Sequence, residues 1–246
     1  MNEVPEDTDG KVIFFDSETT GLHPDEGDKI VEVGFVETIN RQLTGRRLHL
    51  YFDPQRDVPE EAFEVHGHSR DDLVRKSKGR VFANGAQEII DFIQGATLIA
   101  HNARFDESFF DKEFEIAGYQ PLAAHCNGII DSLKIAHAKF PGQRNSLDAL
   151  LNRLVGKDNY KRDSHGALLD AELLAQVYFL MTIKQEGLQL DSRLHEGGLV
   201  LNPHRLDINP GDLVVANVAD VDRARHEAMQ QRIRKSSGGS CIDFSF

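Results

Sequence analysis

Asp and Glu outnumber Lys and Arg by 40 to 28 in a chain of 246 residues, and the resulting net charge of −12 argues against a broad basic surface for gripping nucleic acid. With 40% hydrophobic and 28% charged residues, the chain reads as globular, long enough for one well-sized core or two small domains. No apolar stretch nears the length of a membrane span, the opening MNEVPEDTDG is acidic and unlike a signal peptide, and Cys126 and Cys241 show neither metal-ligand nor disulfide spacing, so a reducing cytoplasm is the expected location.

Residues 1–10 are expected to be disordered. KVIFFDS (11–17) reads as a buried strand. KIVEVGFVETIN (29–40) and GRRLHLYF (45–52) alternate apolar and polar residues around a Thr-Gly break at 44–45, which suggests an antiparallel meander. EEAFEVHG (60–67) is a short helix-like turn, and VFANGAQEIIDFIQGA (81–96) has apolar residues at helical spacing. TLIAH (97–101) is a compact strand, followed by Asn102 as an N-cap and the helix-period run RFDESFFDKEFEIAG. CNGIIDS gives another strand, and NSLDALLNRLVG and HGALLDAELLAQVYFLMT two further amphipathic helices. A meander followed by strand–helix units implies an α/β fold with a mixed sheet flanked by helices. After Ile183 the period is lost, and Gly, Pro, Asn and Asp become frequent. Residues 191–211 read as a linker, and residues 212–246 as a tail too small to bury a core alone.

The chemistry concentrates in carboxylates. In FFDSETTG, Asp16 and Glu18 lie two apart on a strand and so share one face. Two anions so close are costly to desolvate unless a positive charge sits between them. HNARFD adds Asp106 in the first turn of a helix, where an acid can serve the helix dipole alone. HGALLDAE adds His165 at the mouth of a helix and Asp170 about one and a half turns inside, among leucines and alanines with no lysine or arginine nearby. EAFEVHG adds Glu61 and His66, which read equally well as surface polar residues.

Hard oxygen ligands from several segments suit Mg²⁺ or Mn²⁺ rather than Zn²⁺. Two such ions about 3.5–4 Å apart clamp the attacking and leaving oxygens of a phosphoryl displacement. On this reading Asp16 bridges two ions, Glu18 and Asp170 complete one site, and His165 suits the general base.

DSETTG, HNARFD and HGALLD, in this order, resemble the three motifs of the DEDDh class of 3′→5′ exonucleases, whose acidic set corresponds to Asp16, Glu18, Asp106 and Asp170. His165, five residues before the last Asp, marks the histidine branch. EAFEVHG, KFPGQRNSLDALL, HGALLDAELLAQVYFLMT and the C-terminal GGSC extend the resemblance to the epsilon-type proofreading subunits of bacterial DNA polymerase III. The resemblance implies an RNase H-like exonuclease domain over 11–184, with Glu61 and His66 holding the terminal nucleotide of a DNA 3′ end. Ser17 stands where many members have Thr; strand alternation turns it away from the metals, and no catalytic position is missing. QEGLQL (185–190) fits the Q-x-x-L-x-L pattern that binds sliding clamps through Gln185, Leu188 and Leu190. The tail at 212–246 matches the region that binds the polymerase alpha subunit, and its apolar DLVVANV and CIDFSF suit folding upon a partner. Two rivals stand beside this reading: an RNA-trimming DEDDh nuclease, which would end after the catalytic domain, and a non-catalytic stabilising subunit.

Overall fold

In the computed structural model, residues 10–156 and 165–183 are described, together with four isolated helical positions, His226, Ala228, Met229 and Gln231. The expectations for residues 1–9, the clamp pattern at 185–190, the linker and most of the tail fall outside the described residues. The chain divides into two units, Met1–Glu186 and Gly187–Phe246. The first contains the sheet and all the described elements; of the second, only the four helical positions are described.

The sheet has five strands: β1 (Lys11–Thr19), β2 (Ile30–Ile39), β3 (Gln42–Tyr51), β4 (Thr97–Ala100) and β5 (Gly128–Asp131). Their order is β3-β2-β1-β4-β5; β1 pairs antiparallel with β2 and parallel with β4. The expected mixed α/β architecture is present, with β1 at its centre.

The meander turns elsewhere than the sequence suggested. Asn40 and Arg41 carry φ of 50° and 61°, the pair of left-handed residues that a two-residue hairpin requires, and β3 begins at Gln42. The Thr44-Gly45 break is not a turn; it lies inside β3, where the β2–β3 register shifts and Gly45 adopts φ 84°. Nor does β2 alternate between core and water. Nine of its ten residues are buried, Glu32 and Glu37 included, because an interior strand is covered on both faces.

Seven α-helices lie among the described residues: α1 (Glu60–His66), α2 (Arg70–Ser77), α3 (Phe82–Ile93), α4 (Ala103–Ala117), α5 (Ser132–Lys139), α6 (Leu147–Leu154) and α7 (Ala167–Thr182). Two of these, α2 and α5, bury only two residues each and so show no apolar face for a periodicity reading, yet each has a local start signal. Ser69 accepts from the Asp72 amide and the Asp131 carboxylate accepts from the Leu133 amide. Asn102 occupies the N-cap position of α4, but through a left-handed backbone (φ 68°) and without a side-chain cap. It is held instead by Asp131, whose Oδ1 accepts the Asn102 amide at 3.2 Å. No described helix is long and apolar enough to cross a membrane.

Strand alternation sends β1 side chains into two cores. Ile13 and Phe15 face α3 and α4, with Phe15 stacked on Phe35 at 5.7 Å; Val12 and Phe14 face α6 and α7, with Phe14 edge-on to Tyr178 at 5.4 Å. Burying each such side chain contributes about 1.5–3 kcal/mol. α7 is not amphipathic. Apolar residues run around its whole circumference, from buried Leu173, Leu174 and Val177 to the exposed Leu169 and Leu180, because it lies directly across β1 and β2.

The approach of α7 depends on Gly34. A Cβ there would stand 2.3 Å from the Leu168 backbone and 2.4 Å from the Ala167 carbonyl carbon. The first turn of the helix therefore rests on bare strand beside Asp16, the register partner of Gly34. Gly34→Ala is expected to destabilise the protein by ~3 kcal/mol, since backbone rather than a flexible side chain must yield. Urea denaturation of the two proteins checks this, and an unchanged midpoint would show that α7 can ride up without penalty.

Candidate active site

Asp16 and Glu18 end β1 on the same face as their β2 partners, Gly34 and Glu32. Above them lies the start of α7. Gly166, its N-cap, is close enough that a Cβ would sit 3.8 Å from Glu32 Oε1, and Asp170 falls in the first turn, not one and a half turns in. That position brings the buried Asp170 carboxylate down toward β1.

Ligand atoms of Glu18, His165 and Asp170 all lie within 4.8 Å of one another, a spacing suited to a shared cation. His165 Nδ1 is 3.4 Å from Asp170 Oδ2, and the His165 amide donates to Val65 O at 3.3 Å, which ties His165 to the end of α1. Asp16 is half-buried on the same face, one register step from Glu18, but does not belong to that close trio.

Asp106 reaches the site from the opposite layer. It is buried at the start of α4, on the face of β1 that carries Ser17, and Ser17 Oγ donates to its Oδ1 at 2.6 Å. Alternation does turn Ser17 away from Asp16 and Glu18, but toward another member of the acidic set. Its hydroxyl thus holds a buried carboxylate, a contact that strand alternation alone does not reveal. Burial pushes the Asp106 carboxyl up to about 7, against the Ser17 and backbone hydrogen bonds, with the charge of Asp131 adding to the rise.

A cavity of about 480 Å³ opens beside this cluster, bounded by Glu18, Thr19 and Leu22 on one side, Glu61, Val65 and His66 on α1, and Phe105 on α4. Its lining is largely apolar, with carboxylates at the mouth. Glu61 is exposed, whereas His66 is buried to 1%, so the surface alternative fails for His66. Burial pushes the His66 imidazole down to about 4; the charge of His68 depresses it further, Glu32 and the Thr19 backbone oppose the shift, and Lys76 adds to it. Gly34, Ser17, Leu22 and Phe105 belong to the site and were not read as such. The first two could be sought as small residues beside acid-bearing strand positions, but the cavity walls have no local signal.

With this geometry in view, comparison with known proteins is decisive. The family model described as Exonuclease matches residues 13–178. The DNA polymerase III subunit epsilon of Escherichia coli is 41% identical over 239 residues, covering 94% of this chain and 96% of that protein. The chain belongs to the DNA polymerase III epsilon subunit family of exonucleases. The family's subunit from Pasteurella multocida is 47% identical over 180 residues (72% of this chain, 70% of the relative), and that from Rickettsia prowazekii 43% identical over 171 (69% and 73%). Among solved structures, the zinc-bound exonuclease I–ssDNA complex of E. coli shares the RNase H-like fold, with TM-score 0.62 and 20% identity. The match covers 72% of this chain and 41% of that longer one. Its metal-free form gives TM-score 0.59 at 21% identity, covering 72% and 40%.

The raised Asp106 pKa gives a stability signature in the metal-free protein. Below about pH 4 the carboxyl is protonated whether folded or not. As pH rises toward 7 the unfolded chain releases the proton first, and stability falls. Asp106→Asn, which retains an acceptor for Ser17, should therefore melt roughly 5 °C above the parent at pH 8 in chelator, with the gap closing by pH 4. Calorimetry across that range checks it.

Proposed function

We propose that this protein is the proofreading 3′→5′ exonuclease of a replicative DNA polymerase, removing the terminal nucleotide of a frayed DNA primer end by two-metal hydrolysis. The observation that carries the reading is the convergence of Glu18 from β1 with His165 and Asp170 from the start of α7 beside a nucleoside-sized cavity. The carboxylates of Glu18 and Asp170, with Asp16 and Asp106 adjoining, make a hard oxygen donor set that fits Mg²⁺ or Mn²⁺. Asp16, Glu18 and Asp170 are assigned as the ligands, with Asp106 completing the acidic set. When bound, two divalent ions polarise the scissile phosphate and make the attacking water more acidic.

The chain's own residues supply the rest. Asp170 Oδ2, 3.4 Å from His165 Nδ1, holds the imidazole so that Nε2 can take the proton of the attacking water. Val65 O fixes the His165 backbone from α1, coupling the base to the nucleotide side of the cavity. Leu22, Val65 and Phe105 give the terminal base an apolar seat, while Glu61 and His66 provide polar contacts to its sugar. The N-terminus of α7 adds a favourable dipole for the anionic group being cleaved. A net charge of −12 leaves the chain little affinity of its own for duplex DNA. Tethering therefore raises the local concentration of the site at the primer end. The alpha subunit would be held through residues 212–246 and the sliding clamp through Gln185, Leu188 and Leu190.

Asp16→Ala should abolish release of nucleotides from single-stranded DNA while the protein stays folded, and His165→Ala should lower kcat by roughly 10²–10⁴-fold with metal affinity little changed. Metal titration calorimetry beside the assay separates base from ligand, because loss of metal binding in His165→Ala would make His165 a ligand. Running RNA beside DNA, with Mg²⁺ or chelator, separates the two rivals: preferential RNA cleavage favours a trimming enzyme, and no cleavage a stabilising subunit. Truncation after residue 190 should leave cleavage of short single strands intact and abolish co-elution with the polymerase subunit. Co-elution of the truncated chain would place the dock in the catalytic domain.

A further inference from the structure

Behind the cavity lies a second polar array that none of the roles above uses. Glu32 is 2% exposed, yet it is not a ligand in the trio. Its two oxygens are taken up by two imidazoles, His49 Nε2 at 2.7 Å from Oε1 and His68 Nε2 at 2.9 Å from Oε2. These hydrogen bonds outweigh the cost of burial and bring the Glu32 carboxyl down to about 2, so it stays anionic at any working pH. Lys76, from α2, lies over the Tyr51 ring at 4.6 Å and reaches His68 Nδ1 at 3.1 Å.

The proton positions follow from donor and acceptor chemistry. An ammonium can only donate, so His68 Nδ1 accepts from Lys76 and the His68 proton sits on Nε2, where it donates to Glu32. The side chain of His68 is thereby clamped at both nitrogens. The clamp fixes the turn His66-Gly67-His68, in which Gly67 ends α1 at φ 71° and the His68 amide donates to His66 Nδ1 at 3.1 Å. With Nδ1 accepting, the single proton of a neutral His66 must be on Nε2. That nitrogen is buried and, by distance and angle, completes no hydrogen bond with the described residues, although the Thr19 backbone lies close enough to raise the ring's pKa. His66 lines the cavity, so a buried N–H donor is held there for a bound oxygen.

We infer that Glu32, His68 and Lys76 are positioning residues that lock His66 as the Nε2–H tautomer, so that it donates to an oxygen of the 3′-terminal nucleotide. His49 anchors the array to β3, with Glu32 standing opposite Glu18 on β2. The brace therefore ties the nucleotide side of the cavity to the strand pair bearing the acids. The inference rests on the substrate reading above, but its first test does not.

Nitrogen-15 spectra of the histidine rings in the full-length, metal-free protein distinguish the two tautomers directly. His66 is expected to carry its proton on Nε2, and a proton on Nδ1 would overturn the inference without any variant being made. In His68→Ala the clamp is gone, and His66 should show a mixture of tautomers. On short single-stranded DNA with Mg²⁺, KM should rise about tenfold while kcat changes less than about twofold, as for loss of one ground-state hydrogen bond. His68→Gln, whose amide N–H reaches where the ring Nε2–H does, should recover most of the KM. An unchanged tautomer and KM in His68→Ala would reduce the array to a structural contact. Absence of any cleavage by the parent protein, with the tautomer as expected, would instead remove the substrate reading and leave the brace standing.

Discussion

A helix backbone can lie against a strand only where no side chain stands between them, and the active site depends on one such contact. Gly34 lets the first turn of α7 rest on β2. That lowers Gly166 toward Glu32 and brings the Asp170 carboxylate, one turn further on, within reach of Glu18 on β1. Any larger residue would hold the helix off by roughly the radius of a methyl group and open the trio. The apolar circumference of α7 serves the same end, because a helix laid flat across two strands has little solvent face to keep polar.

The acids arrive from both faces of a single strand. Asp16 and Glu18 point to the α7 layer, Ser17 to the α4 layer, and Ser17 links to Asp106 at 2.6 Å. At the end of β1 the two cores thus meet a common charge cluster. Taking a carboxylate out of water is unfavourable, and the raised pKa of Asp106 reflects its burial, with the charge of Asp131 adding to the rise.

Glu32 shows the opposite solution to the same problem. Equally buried and directly across from Glu18, it is neutralised by protein donors, two imidazoles backed by a lysine. One acidic pair on one pair of strands thus divides its work. On the proposed function Glu18 would face a cation, whereas Glu32 is built into the frame that carries the cavity-lining His66.

Much of this was legible in the sequence because the signals are local. Strand alternation put Asp16 and Glu18 on one face; helix periods located α3, α4 and α6, and a long apolar run located α7; and the spacing of His165 and Asp170 follows from one helix start. The Asn40-Arg41 hairpin and the bulge at Gly45 were not, since turn and bulge draw on the same residue types and only the β2–β3 register tells them apart. The buried run of β2 likewise reflects coverage of both faces, which no strand encodes in itself. Ser17 looked inert for want of knowing that Asp106 would come from the layer it faces. Most of all, the Glu32 array joins residues 17 and 36 positions apart, a contact set by the packing of β3 and α1 on the sheet. The sequence by itself determined which residues could do chemistry and which elements carry them. Tertiary structure alone decided which approach one another, because that follows from a glycine that admits a helix and from donors brought together by chain reversal.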